Sequence, residues 1–455
     1  MDEAAAPERI EAARAARQTV PRSSHAEWSP GNDRSDPVRI LTEQDAARLQ
    51  WLVPVRHARM AESAFAFYRG GAAIMAADLA GTPSIGVDVQ LCGDAHLANF
   101  GTYASPERRQ VFDVNDFDET LPGPWEWDVK RLAASVVIAA RDNGFDDDTA
   151  RDATRATMRS YQEAMGQFAE TPVLQVWYAQ LSLKQMRRGL PRESDRKAFD
   201  KAVAKARGKN SQRALGKLTE TVNGRRRIRS QPPLLTPARE LGEHIDPDTL
   251  GIAIEENLAG YVESLPPNRR SVLSRFSLAD AALKVVGVGS VGTRCWVILL
   301  RDRDHDEPLF LQVKEATASV LEEHLPRSEY DHPGQRVVNG RRVIQASSDM
   351  FLGWSGTADG GKFYWRQFHD MKGSAAVAAM DPQRLLHYGE VCGWTLAHAH
   401  ARSGDSVAIA AYLGAGKSFS QAFTEFALAY AAQNAADYET YRQAIADGRL
   451  EAHLA

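Results

Sequence analysis

Three aspartates and an asparagine at close spacing are the residues of this chain best suited to chemistry. Asp94 and Asn99 lie within Cys92-Gly93-Asp94-Ala95-His96-Leu97-Ala98-Asn99-Phe100, and Asp116 and Asp118 follow within Val114-Asn115-Asp116-Phe117-Asp118-Glu119. Phosphoryl transfer needs such a set. One carboxylate orients an acceptor hydroxyl, an amide and a carboxylate hold Mg²⁺, and most of the rate comes from positioning and electrostatics. Asp94 is the expected group that orients and deprotonates the acceptor. Asn99 and Asp116 are the expected metal ligands, with Asp118 a further oxygen donor for a hard cation. His96 is expected to serve the catalytic loop, holding it by hydrogen bonding rather than reacting. Asp, Asn and Gly are also ordinary turn residues, so the order and spacing of both motifs carry the reading, not either alone.

The two motifs resemble those of aminoglycoside phosphotransferases and related small-molecule kinases, which carry H-G-D-x-H-x-x-N and then I-D-F-D. Gly93, Asp94, His96, Asn99, Asp116, Phe117 and Asp118 fall on that pattern, and Cys92 stands where the family has His. The run Gly123-Pro124-Trp125-Glu126-Trp127-Asp128 is similar to the family's G-P-x-x-x-D. The resemblance implies that Asp128 braces the catalytic loop.

A second set of residues lies far downstream. Gly287-Val288-Gly289-Ser290-Val291-Gly292 is a G-x-G-x-x-G, which in a dinucleotide-binding fold would open a helix. Here β-branched and aromatic residues follow, Thr293-Arg294-Cys295-Trp296-Val297-Ile298, so a hairpin loop over ATP phosphates fits better. The stretch Leu311-Gln312-Val313-Lys314-Glu315 is similar to the kinase V-A-I-K, with Lys314 expected to neutralise phosphate charge. Arg69 is a further candidate for phosphate or substrate, or else the partner of a loop carboxylate such as Asp128. A kinase lysine needs an acidic partner, and the helix expected at residues 335–348 contains no Glu, which leaves Glu322 or Glu323.

Ordinary kinases run from glycine loop through Lys to the catalytic and metal-binding aspartates. This chain has the aspartates first, so the resemblance implies a circular permutation, tolerable because chain ends in compact domains often lie close. Nearly the whole chain is also similar to a bacterial family known as domain of unknown function 2252. That likeness rests on Val20-Pro21-Arg22-Ser23-Ser24-His25, Phe65-Ala66-Phe67-Tyr68-Arg69-Gly70, Val313-Lys314-Glu315-Ala316, Gly334-Gln335-Arg336-Val337-Val338 and Asp370-Met371-Lys372-Gly373-Ser374, besides residues 91–101, 112–132 and 399–405.

The elements that must position these groups follow from periodicity. Helical patterns are expected near residues 4–17, from Thr42 to about Leu52, and at residues 65–79, 127–141, 148–169 and 382–402. Short strands at residues 87–91 and 110–114 would deliver Asp94 and Asp116, and residues 282–288, 294–300, 309–313 and 363–368 read as a small sheet and its hinge strand. The expected fold is α+β, a two-lobed, kinase-like and permuted chain. It comprises an arm and first helix (1–60), a helical lobe with the catalytic and metal-binding loops (61–275), a β-rich nucleotide lobe (276–370), and hinge and C-terminal helices (371–455).

Composition sets the outer bounds. With 455 residues, 44% of them hydrophobic and 25% charged, the chain can bury a large core. No apolar run approaches the ~18 residues of a membrane span, and Met1-Asp2-Glu3-Ala4 lacks a basic start, so a cytoplasmic protein with no membrane partner is expected. Three isolated cysteines, Cys92, Cys295 and Cys392, imply reduced thiols. The net charge of −4 hides a block at residues 184–230 with 16 Lys and Arg against 4 Asp and Glu. Lys197, Lys201 and Lys205 at i, i+4 spacing fit a solvated helical face, an anionic small substrate is the alternative, and nucleic acid is disfavoured because aromatic residues do not interleave with the charges. The expected activity is ATP- and Mg²⁺-dependent phosphoryl transfer to a hydroxyl of an acceptor that the sequence does not identify, a small or anionic molecule being one option. Three alternatives stay open: a silent nucleotide binder, nucleotidyl transfer on the same fold, and a metal-dependent hydrolase using Asp94, His96, Asp113, Asp116 and Asp118.

Overall fold

The computed structural model describes residues 5–190, 192–242, 247–368 and 371–453. The expectations for residues 1–4 and Asp370 fall outside them. The chain is α+β, with one apolar core among the helices and another against a six-stranded antiparallel sheet. The sheet runs in the spatial order Gly353–Gly356, Lys362–Gln367, Pro308–Glu315, Cys295–Asp302, Phe276–Lys284 and Leu235–Pro237. Lys314 stands opposite Cys295 on one neighbour and Tyr364 on the other. Because side chains alternate along a strand, Leu311 and Val313 enter the sheet's own core while Gln312 and Lys314 share the other face.

Several elements depart from expectation for local reasons. The first large strand begins at Phe276 rather than 282, because its early residues alternate between exposed and half-buried and carry little apolar signal. The helix expected from Thr42 lies instead at Pro37–Asp45, where Pro37 suits the first turn and the Asp36 carboxylate accepts from the Val38 amide at 2.8 Å. Asp45, the last residue of that helix, accepts from Arg56 at 2.7 Å and contacts His57 at 2.8 Å. The helix at 65–79 is broken at Gly71 into Ala64–Gly70 and Ala72–Leu79. Residues 235–242 and 247–275 side with the sheet and not with the helical half: Leu235–Pro237 is its edge strand, and Tyr261, Leu265 and Leu273 enter its core. The N-terminal segment is packed, since Arg34 bridges Asp78 and Asp437 with hydrogen bonds of 2.6–2.9 Å.

The strand Asp88–Leu91 and the helix Pro382–Ser403 match expectation closely, and the end of that helix meets the strand: the Gln90 amide donates to Ser403 Oγ at 3.1 Å. All three cysteines are buried and free. Among the described residues no helix is long and apolar enough to cross a membrane.

The helix Trp125–Asp142 runs through the helical core and is buried on nearly every face. It encloses one group that costs stability. The Lys130 ammonium is fully buried, finds no hydrogen-bond partner among the described residues, and lies 5.1 Å over the Phe426 ring. Burial pushes its pKa down to about 7, while Glu126 one turn earlier is pushed up to about 7 by the same cause. Lys130→Met is expected to stabilise the protein by about 1–4 kcal/mol in urea unfolding. The unfolded chain keeps this proton up to pH ~10.4 and the folded one loses it above 7, so wild-type stability rises across that window. The gain from Met is therefore greatest at and below pH 7 and shrinks as pH rises; a variant weaker than wild type throughout would show that Lys130 has an unseen partner.

Candidate active site

Asp94 sits in the loop between the strands Asp88–Leu91 and Phe100–Ala104. The loop is braced from below. Asp128, in the first turn of the helix Trp125–Asp142, accepts the Cys92 and Gly93 amides at 2.7 and 3.0 Å. Gly93 has φ +82, and a Cβ there would stand 2.2 Å from the Glu119 carbonyl oxygen, so glycine is required. His400 Nε2 lies 3.4 Å from Asp128 and its Nδ1 2.8 Å from the Tyr161 hydroxyl, extending the brace to two more helices. Cys92 is fully buried with its thiol pushed well above the ordinary range, so it is a packing residue and not a nucleophile.

Asp94 itself is held by Arg131, whose Nε and Nη2 donate to one carboxylate oxygen at 2.9 and 2.7 Å. Asn99 Nδ2 donates to the Asp94 carbonyl at 2.8 Å, and His96 Nε2 lies 3.4 Å from the other carboxylate oxygen. Burial alone would raise the Asp94 pKa, but His96 and Arg131 hold it well below the usual carboxylate range. His96 is itself pulled down by burial against the opposing pull of Asp94. Arg131 is fixed by a second hydrogen bond to the Tyr68 carbonyl and by stacking 3.8 Å over the Tyr68 ring. The sequence reading missed Arg131; its place three residues after Asp128, on one face of one helix, was the available signal.

Asp116 and Asp118 follow the strand Gln110–Val114, and the Asn115 amide donates to the Asn99 carbonyl at 2.8 Å, which couples the two acidic loops. Lys314 arrives from the sheet, 196 residues away in sequence, pairs closely with Asp118 and lies 3.5 Å from Asp116. Its ammonium is only 2% exposed, so these carboxylates are what keep it charged; burial lowers its pKa and they raise it well above the ordinary value. Lys314 together with Arg366 and Lys372 holds Asp116 well below the carboxylate range against the cost of burial. Tyr364, opposite Lys314 in the sheet, donates to Asp118 at 2.6 Å.

Neither Glu322 nor Glu323 meets Lys314. Glu322 accepts from the Ser319 amide at 3.0 Å and lies 3.8 Å from Arg336, while Glu323 lines the cleft. With two aspartates against it, Lys314 needs no third partner; the helix Pro333–Ile344 contributes Arg336 instead, which donates to the Asp118 carbonyl at 2.8 Å. Asp113 also stands apart. It accepts the Val114 and Ala346 amides at 2.8 and 3.0 Å and lines neither cavity of the site, so it has no place in a five-residue metal cluster.

The glycine loop joins the strands Phe276–Lys284 and Cys295–Asp302 as a turn, and no helix opens at Gly292. Gly287 and Gly292 have φ +66 and +89. The loop is clamped by groups that the sequence reading missed: Arg59 donates to the Gly287 carbonyl at 2.8 Å, Arg48 to Val291 at 2.7 Å, and the Leu49 amide to Gly292 at 2.8 Å. Ser290 Oγ lies 3.3 Å from Asp118, so the loop reaches the acidic pair. A Cβ at Gly289 would touch the Arg69 carbonyl at 3.4 Å.

Asp94, His96, Asn99, Asp116, Asp118 and the glycine loop line one cleft of about 660 Å³. Arg69 lines it too and does not pair with Asp128; its buried Nε has no hydrogen-bond partner among the described residues, an open donor suited to phosphate oxygen. The oxygens of Asn99, Asp116 and Asp118 are the hard donors Mg²⁺ prefers, and that ion commonly takes only one or two carboxylates and completes its shell with water and phosphate. Among the described residues no three His, Cys, Asp or Glu groups surround a single metal position. The donor set thus fits a metal carried in with phosphate better than a fully protein-bound one.

The architecture is that of an α+β protein whose acidic loop pair and glycine turn line one cleft, with a strand lysine paired to the acidic loops. The model of the family described as uncharacterized protein conserved in bacteria, domain of unknown function 2252, matches residues 48–444, and the chain belongs to that family. No curated protein and no solved structure matches the chain.

Proposed function

We propose that this protein is an ATP- and Mg²⁺-dependent phosphotransferase acting on a hydroxyl, on a protein-kinase-like scaffold whose chain order is circularly permuted. The observation that carries the reading is the meeting of Lys314 with Asp116 and Asp118, beside Ser290 of the glycine loop. In kinases the glycine loop joins two strands, the lysine lies on the third and a helix follows it. The same succession occurs here at residues 276–344, and the acidic loops come from residues 94–118. The bond between Ser403 and Gln90 supports permutation, because it brings the end of the long C-terminal helix to the start of the strand leading to Asp94.

In this reading Asp94 orients the acceptor hydroxyl. Its depressed pKa makes it a weak base, so it aligns the oxygen first and takes the proton late, as phosphoryl transfer allows. The amides of Gly287 and Gly289 approach phosphate oxygens, while Lys314 and Arg69 add positive charge; Gly292, packed on Arg48, lines neither cavity and serves the turn instead. Mg²⁺, held by Asn99, Asp116 and Asp118, would neutralise charge on the phosphates.

The direct test is thermal unfolding of the full chain with MgATP. At 100 times its Kd a ligand stabilises by about 2.7 kcal/mol, so a clear rise in Tm is expected that is absent in Lys314→Met. No rise with wild type at millimolar MgATP would overturn the proposal.

A further inference from the structure

A smaller cavity of about 360 Å³ adjoins the cleft and shares Arg69, Asn99, Asp116 and Ser290 with it. Its remaining wall is strongly cationic: Lys209, Arg341, Arg366 and Lys372 join Lys314 there. The carboxylates in that wall are Asp116 and Asp349. Asp116 already faces Lys314, and the oxygens of Asp349 accept the Phe351 and Gln367 amides at 2.8 and 2.5 Å.

The two arginines are held in place by neutral oxygens. Arg366 donates to Gln312 at 2.7 Å and to the Asn115 carbonyl at 3.1 Å, and Arg341, 5% exposed, donates to Gln345 at 2.7 Å. Among the described residues Lys209, Arg341, Arg366 and Lys372 form no ion pair. Crowding by Arg366, with burial second, pushes the Lys372 pKa down to about 7. Like charges gathered in a half-closed space repel one another unless an anion joins them, and planar guanidinium groups match phosphate oxygens. Fixing the two arginines beforehand on neutral acceptors lowers the cost of capturing that anion.

We infer that this cavity is an anion site that takes a phosphate group, supplied by an inorganic polyphosphate or by a phosphorylated ribose. The inference goes beyond the phosphotransferase reading, because it needs only the charges and their fixed positions.

Calorimetric titration of the full chain tests it with three probes: inorganic tripolyphosphate, adenosine 3′,5′-bisphosphate and adenosine 5′-monophosphate. Wild type is expected to bind tripolyphosphate, or to prefer the bisphosphate over the monophosphate, and Lys372→Gln is expected to weaken that binding roughly tenfold, the loss of one charge-assisted hydrogen bond. Arg366→Gln should weaken it at least as much; since Arg366 also holds Asn115, circular dichroism checks its fold, and Lys372→Gln carries the decision. A loss confined to tripolyphosphate identifies an inorganic chain, and a lost preference for the bisphosphate identifies the ribose phosphate. Failure of all probes to bind, or equal binding by wild type and Lys372→Gln, would overturn the site. If the MgATP response survived that failure, the phosphotransferase reading would stand without it; tripolyphosphate binding with no response to MgATP would leave this site standing alone.

Discussion

Asp94→Asn is expected to lower kcat by at least about 100-fold while the MgATP-induced rise in Tm persists, because the substitution keeps the shape of the side chain and removes only the group that aligns and deprotonates the hydroxyl. The same variant has a stability signature. The folded pKa of Asp94 is depressed, so the carboxylate contributes stability above the unfolded value of ~3.9 and loses it as pH falls further. The gap between wild type and variant should therefore be full at pH 6 and close below pH 4. Turnover unchanged in the variant would remove Asp94 from the mechanism; turnover absent in wild type, with MgATP still bound, would mark the protein as a silent binder.

Arg131→Met is expected to have the second largest effect. Arg131 is a positioning residue: it fixes one oxygen of Asp94 and, with His96, supplies the positive charge that keeps the half-buried carboxylate ionised. Without it, burial wins, the Asp94 pKa rises, and the acid limb of the kcat/KM profile moves to higher pH. The unpaired charge should also cost about 3–5 kcal/mol in denaturant unfolding. Arg131→Lys restores a charge but not the two-pronged hydrogen bond, so it should bring the acid limb back most of the way while kcat stays low. An acid limb that does not move in Arg131→Met would mean that Arg131 serves packing alone.

The legible parts of the site were the local ones. Asp94, His96 and Asn99 lie in one loop, and Asp116 and Asp118 in the next, so spacing alone places them within reach of each other. Asp128 was readable as the brace only through the resemblance of residues 123–128 to the G-P-x-x-x-D run, and the structure puts it in the first turn of the helix below the loop. The glycine turn was readable because β-branched residues follow it in place of helix formers. Helix and strand boundaries slipped where half-exposed residues carried weak periodicity, as at Phe276, or where a proline and a capping aspartate outweighed it, as at Asp36 and Pro37.

The chain's order of residues determined the chemistry available to it: two acidic loops, a lysine near the end of a strand and a glycine turn, each specified by short-range spacing. Tertiary structure alone decided what those groups face. Lys314 meets Asp116 and Asp118 rather than Glu322, Arg131 rather than Arg69 holds a loop carboxylate, and Arg48 and Arg59 reach the glycine loop from the N-terminal segment. The physical reason is that a buried charge takes whichever counter-charge the packed cores bring within about 4 Å, and separation along the chain does not enter that energy.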